Sequence, residues 1–203
     1  MRIKQILIIS SVVTAAILLI MFGYYLTRSP QRPTSAAIEQ ALNPSGDFTL
    51  TESSGEIFSL KDHRGKVVLL FFGYTSCPDI CPMSLAKLAK VRSLLGVMNE
   101  KVMTVFVTVD PQRDTAARLK EYLEYFDDRT IGLTGTKREI DKVVHAYKAS
   151  YQKILNNSSL GYTINHTSII YLIDGQGKVR YLFHQDDSPE KIASIIKEIC
   201  AGI

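Results

Sequence analysis

The run Val67-Val68-Leu69-Leu70-Phe71-Phe72-Gly73-Tyr74-Thr75-Ser76-Cys77-Pro78-Asp79-Ile80-Cys81-Pro82 decides the fold. Six consecutive apolar residues, Val67 to Phe72, read as a strand buried on both faces, because a strand with one wet face would alternate with polar residues. Beyond the cysteines, Leu85, Leu88, Val91 and Leu95 recur at three- to four-residue spacing. They predict an amphipathic helix from Met83 to about Leu95, with Gly96 as its stop signal. In an open α/β sheet, reactive groups gather where the carboxyl end of such a strand opens onto a helix. Cys77 and Cys81 occupy that place.

Upstream, Phe48-Thr49-Leu50 and Ile57-Phe58-Ser59-Leu60 flank Ser53-Ser54-Gly55, which predicts a hairpin. Downstream, Val102 to Val109 reads as a second buried strand, Asp114 to Phe126 as a helix, and Ile131 to Leu133 as a short strand. A helix from Lys137 to Ile154, a loop from Asn156 to Asn165, and a hairpin of Thr167–Ile173 with Val179–Phe183 come next, then a helix from Ser188 to about Ala201. The expected class is α/β, a mixed sheet with helices on both faces.

With 203 residues, 46% of them hydrophobic, one good core is expected, not two full domains. The formal charge of +4 sits at the start of the chain, since Arg2, Lys4, Arg28 and Arg32 face no acid before residue 36 and the remainder is balanced. Nucleic acid binding is therefore rejected as a default. Residues 6–26 contain neither charge nor proline, and as a helix they would match a hydrocarbon core of roughly 30 Å. They predict a retained membrane anchor, because a cleaved leader has a shorter apolar region and a small-x-small cleavage site that Phe22 to Thr27 does not offer. The expected organisation is an anchor over 1–27, a tether over 28–44 and one folded domain over 45–203. Lys and Arg are equally numerous on the two flanks of the anchor, so charge does not orient it.

Three cysteines are too few for a disulfide scaffold, yet two of them lie four residues apart. On one helical turn that spacing puts both sulfurs on one face, and the nearby helix N-terminus favours thiolate, the species that binds soft metals or attacks disulfides. A purely structural staple is disfavoured, because so short a loop constrains little chain. Among the histidines, His63 reads as a solvated turn residue, His145 as mid-helix and His184 as exposed. His166 differs in ending a long loop just before a strand, from which it can face the cysteine-bearing helix.

Four ordered motifs resemble the Sco/SenC family: Phe72 to Pro82, Val109 to Thr115, Gly132 to Thr136, and His166-Thr167 before a strand ending at Ile173. The resemblance implies a thioredoxin-like domain tethered by one N-terminal transmembrane helix. It also implies a single copper ion, Cu(I) or Cu(II), held by Cys77, Cys81 and His166. The implied role is a copper chaperone for the dinuclear copper centre of cytochrome c oxidase, whose copper-receiving subunit is the partner. The implied location is the inner membrane, with the domain facing the periplasm in a bacterium or the intermembrane space in a mitochondrion. Two thiolates and an imidazole suit Cu(I) and could take Cu(II) with a further weak ligand; zinc would want a fourth ligand or a water and stays open on chemistry, so the choice of copper comes from the resemblance.

The alternative is a thiol-disulfide oxidoreductase that uses Cys77 and Cys81 as a dithiol/disulfide pair to keep the partner's cysteines reduced. Three departures from thioredoxins weigh on it: the Cys-x3-Cys spacing, Ser76 before the first cysteine, and no proline from Asn156 to Ile173. Asn165 stands where the family often has Asp, so a carboxylate partner for the imidazole is missing. Asp79 reads as a solvated loop acid, Asp114 as a helix N-cap and Cys200 as a buried small residue.

Overall fold

The computed structural model describes residues 17–22, 44, 46–155 and 161–201. The anchor expected over 6–26 lies outside the described residues apart from 17–22, a helical and exposed stretch. Among the described residues no helix is long and apolar enough to cross a membrane. The tether over 28–44 lies outside them except for Pro44.

The folded unit is built on a seven-stranded sheet with the order β2-β1-β5-β4-β3-β8-β9. At its centre, β3 (Val67–Gly73) and β4 (Val102–Thr108) run parallel, and all fourteen of their residues are buried, as a strand covered on both faces requires. β5 (Ile131–Thr134) extends the parallel part. The hairpin of β1 (Thr49–Glu52) and β2 (Ile57–Ser59) adds antiparallel strands beside β5, and that of β8 (Ile170–Ile173) and β9 (Val179–Phe183) adds them beside β3. The expected Gly55 turn and the turn at Gly177 that joins the second hairpin carry positive φ angles of 93° and 81°, which glycine adopts without steric penalty.

Among the described residues four α-helices accompany the sheet: α1 (Ile80–Leu95), α2 (Ala116–Glu124), α3 (Lys137–Ala146) and α4 (Pro189–Ala201). Helix α1 starts three residues earlier than its apolar spacing predicts, and Pro82 in its first turn lacks only an N–H that would have no intrahelical partner. Helix α1 packs on α4, where Cys200 is buried as expected, and Gly96 closes α1 with φ 57°. Leu119 and Leu123 of α2 lie against Gly132 of β5, where a Cβ would come within 2.6 Å of Leu123. A capping box of Thr136 and Glu139 begins α3.

Two expectations fail in one region. Helix α3 ends at Ala146, not Ile154, and the chain reverses through Lys148, whose φ of 53° is left-handed. Past this reversal the chain forms a separate antiparallel pair, β6 (Tyr151–Leu155) and β7 (Tyr162–His166), so residues 162–165 of the expected 156–165 loop are strand. Residues 156–160 lie outside the described set.

The end of β3 is crowded. A Cβ on Gly73 would lie 2.7 Å from the Cys81 sulfur and 2.7 Å from the Phe106 ring, contacts that require the neighbours to move. Gly73→Ala is expected to lower the unfolding free energy by about 1–3 kcal/mol, the usual cost of overpacking, measured as an earlier guanidinium midpoint at unchanged slope.

Candidate metal centre

Strand β3 delivers the chain to Tyr74 and then to the cysteine loop, whose Cys77 N–H donates to the Tyr74 carbonyl at 3.2 Å. Cys77 lies in the loop before α1 and Cys81 in its first turn, so the two do not share one helical turn as the spacing suggests. Cys77 is half-buried, whereas Cys81 is fully buried under the sheet end at Gly73.

His166 reaches the pair from β7. The two Sγ atoms and a ring nitrogen of His166 all lie within 4.8 Å of one another, a grouping that can hold a metal ion. Nε2 stands 3.4 Å from the Cys81 sulfur, and Nδ1 is 3.1 Å from the Thr167 carbonyl oxygen. A carbonyl only accepts, so Nδ1 donates to it, which leaves Nε2 as the ring nitrogen directed at the sulfurs. The imidazole is seated edge-on against Tyr74, with ring centroids 5.7 Å apart. Asn165, on the opposite face of β7, is exposed. The backbone of Thr167 thus supplies the orienting acceptor that a neighbouring carboxylate would otherwise provide.

The thiols are unequal. The hydrogen bond from the Cys81 thiol, with a further contribution from His166, pulls the Cys77 thiol down to about 3, against the opposing effect of burial. Its partner moves the other way: the bond to Cys77 and burial push the Cys81 thiol above its ordinary range. One thiolate beside one retained proton is what a short S–H···S⁻ pair gives.

The loop 110–114, read from sequence as a helix entrance, touches both halves of the site. Thr115, not Asp114, caps α2 by accepting from the Arg118 N–H. Asp114 is instead buried and accepts from the Thr75 N–H at 3.0 Å and from the hydroxyls of Thr75 and Thr108, each at 2.6 Å. Burial raises its carboxyl, and those three bonds oppose the rise. Asp110 accepts from the Tyr162 hydroxyl at 2.8 Å and pairs with Arg113. Arg113 Nη1 donates to the Tyr162 carbonyl at 3.0 Å, and its guanidinium lies 3.6 Å from the Tyr162 ring centre.

Two more residues missed from sequence secure the neighbourhood. The Tyr74 hydroxyl accepts from the Ile164 N–H at 3.2 Å, and the Gln185 amide donates to the Ser168 carbonyl and the Ser84 hydroxyl. The other histidines stay apart: His184 is exposed, as expected, and His145, read as a packed or half-exposed mid-helix residue, is exposed in the last turn of α3. His63 is not simply solvated, since its ring stacks on Phe58 at 4.7 Å. Asp79 is exposed and outside the cluster.

A mixed sheet of this order, with two cysteines and a histidine converging at the carboxyl end of a central strand, defines a thioredoxin-like protein with a soft-metal or thiol-exchange centre. The SCO1/SenC family model matches residues 36–201, and the chain belongs to that family. It is 36% identical to the SCO2-like protein of Rickettsia felis, over 96% of each chain. The structure of Bradyrhizobium japonicum ScoI with copper bound matches 76% of this chain and 98% of its own, at 39% identity and a TM-score of 0.71. BsSco, described as a member of the Sco family of cytochrome c oxidase assembly proteins with a disulfide switch, matches 79% of this chain and 95% of its own. Its identity is 27% and its TM-score 0.63.

The unequal thiols give a titration test. The Cys77 thiolate exists above its folded pKa and is lost as pH falls through it. Thiolate absorbance near 240 nm in the reduced, metal-free chain is expected to equal one thiolate from neutrality down to about pH 5. Cys77→Ser abolishes that signal, and Cys81→Ala moves its loss toward neutral pH.

Proposed function

We infer that the protein is a copper chaperone that holds one copper ion through Cys77, Cys81 and His166 and passes it to the copper-receiving subunit of cytochrome c oxidase. The observation that carries this reading is the convergence of two sulfurs and an imidazole nitrogen within 4.8 Å, with the other ring nitrogen occupied by the Thr167 carbonyl. Soft thiolates with one imidazole form a set suited to three-coordinate Cu(I), and zinc would need a further ligand. Half-buried Cys77 leaves one side of the site accessible, so an incoming ligand can exchange for one of these three. The copper-bound relative from Bradyrhizobium japonicum supports the choice of metal, and the description of BsSco supports the choice of partner.

Residues 6–26 act in this reading as a single-pass anchor in the inner membrane, followed by a tether over 28–44 and the copper-binding domain over 45–203. The domain faces the compartment in which the oxidase's dinuclear copper centre is assembled. The uncharged length of 6–26 supports the anchor.

A second reading has an observation of its own. The depressed Cys77 thiol beside the raised Cys81 thiol is the arrangement of an attacking and a resolving cysteine. The same pair can therefore reduce the partner's cysteines before copper arrives, since only the dithiol form binds the ion.

The full chain, purified in detergent, reduced and titrated with Cu(I), is expected to bind one equivalent. His166→Ala is expected to weaken binding by at least about tenfold in competition with a Cu(I) chelator. Equal affinity in wild type and variant would overturn the three-ligand site. If neither protein held copper while both reduced an oxidised partner equally, the reductase reading would stand instead.

A further inference from the structure

We propose that Arg113 and Tyr162, seated on Asp110, are positioning residues that hold the β6–β7 hairpin against the cysteine loop and thereby set how long His166 stays on the metal. The proposal rests on the copper reading for its metal-dependent part, and on geometry alone for its metal-free part. Tyr162, Ile164 and His166 alternate along β7 and so share one face. Each is engaged by a different partner: Tyr162 by Asp110 and Arg113, Ile164 by the Tyr74 hydroxyl, and His166 by Cys81.

The hairpin needs such a latch because the sheet does not supply one. Among the described residues, strands β6 and β7 pair only with each other, and four of the five residues of β6 are exposed. An isolated two-stranded hairpin is marginally stable in water, so its position comes from what its inner face touches. Loop 110–114 is suited to the task because it grips both partners. Asp114 binds Thr75 in the cysteine loop, while Asp110 and Arg113 bind Tyr162 in the hairpin. Over the four residues from Tyr162 to His166, about 13 Å of strand, a small tilt at the latch becomes a displacement of the imidazole from the sulfurs.

Release of copper uses the same lever. When the latch opens, the Nε2–Cu bond breaks, its electron pair stays on the imidazole, and Cu(I) remains on two thiolates with a free position for an incoming ligand. The metal's oxidation state does not change.

The test uses the full chain with Tyr162→Phe, which removes only the hydroxyl bonded to Asp110, and Arg113→Lys, which keeps the charge and loses the fork. In the metal-free protein, hydrogen exchange of residues 162–166 is expected to rise in both variants while β3 and β4 keep their protection. With Cu(I) loaded, transfer to bathocuproine disulfonate is expected to speed up by about tenfold. In a His166→Ala background, neither substitution is expected to change the rate further. Unchanged exchange in the hairpin would overturn the latch, whether or not copper binds. Equal acceleration with and without His166 would reduce Arg113 and Tyr162 to general stabilising residues. A wild type that fails to hold Cu(I) would sink the copper reading and leave the exchange result to decide the latch.

Discussion

A buried carboxylate, that of Asp114, is the constraint on which the site depends. It is only 1% exposed, and a charge taken out of water is tolerated only when hydrogen bonds replace its hydration. Those bonds come from the Thr75 N–H and hydroxyl and from the Thr108 hydroxyl. Removing any one leaves the carboxylate under-satisfied at about 1–3 kcal/mol, so the backbone at Thr75, two residues before Cys77, is strongly fixed. The bond from Val109 N–H to the Gly73 carbonyl at 2.8 Å joins the ends of β4 and β3 in the same place. Cysteine geometry is thus determined by the next βα loop, more than thirty residues further along the chain.

The histidine side is held more lightly, an asymmetry that supports the proposed release of copper to a partner. Cys81 is part of the core, packed over Gly73 and Phe106, and cannot leave without unpacking it. Cys77 sits half-exposed in a loop, and His166 ends a hairpin that, among the described residues, pairs with no other strand. On the proposed reading one ligand is rigid and two are able to move, so ligands can be exchanged one at a time without opening the fold. A site with all three ligands in the core would bind copper and keep it.

The central architecture was legible from the sequence because buried parallel strands and amphipathic helices leave strong patterns. Val67 to Phe72 and Val102 to Val109 are continuous apolar runs, and Leu85, Leu88, Val91 and Leu95 keep a helical period. The β6–β7 hairpin left no such pattern, because Gln152 to Leu155 are exposed and nothing forces them to alternate. Its start was hidden as well: the left-handed residue that ends α3 is Lys148 rather than the glycine that usually marks such a turn. His166 was found through its motif, but its place on a strand was not. Asp114 misled for a related reason, since it stands beside Thr115 and both are good N-cap residues. Only the tertiary contact with Thr75, 39 residues away, tells the two roles apart.

The central claim is that Cys77, Cys81 and His166 together bind one copper ion. X-ray absorption of the Cu(I)-loaded full chain tests it most directly, because sulfur and nitrogen scatterers are distinguishable at the metal. The account predicts two sulfurs and one imidazole nitrogen, with the imidazole contribution lost in His166→Ala. A sulfur-only shell in the wild-type protein, or an imidazole signal that survives His166→Ala, would contradict it.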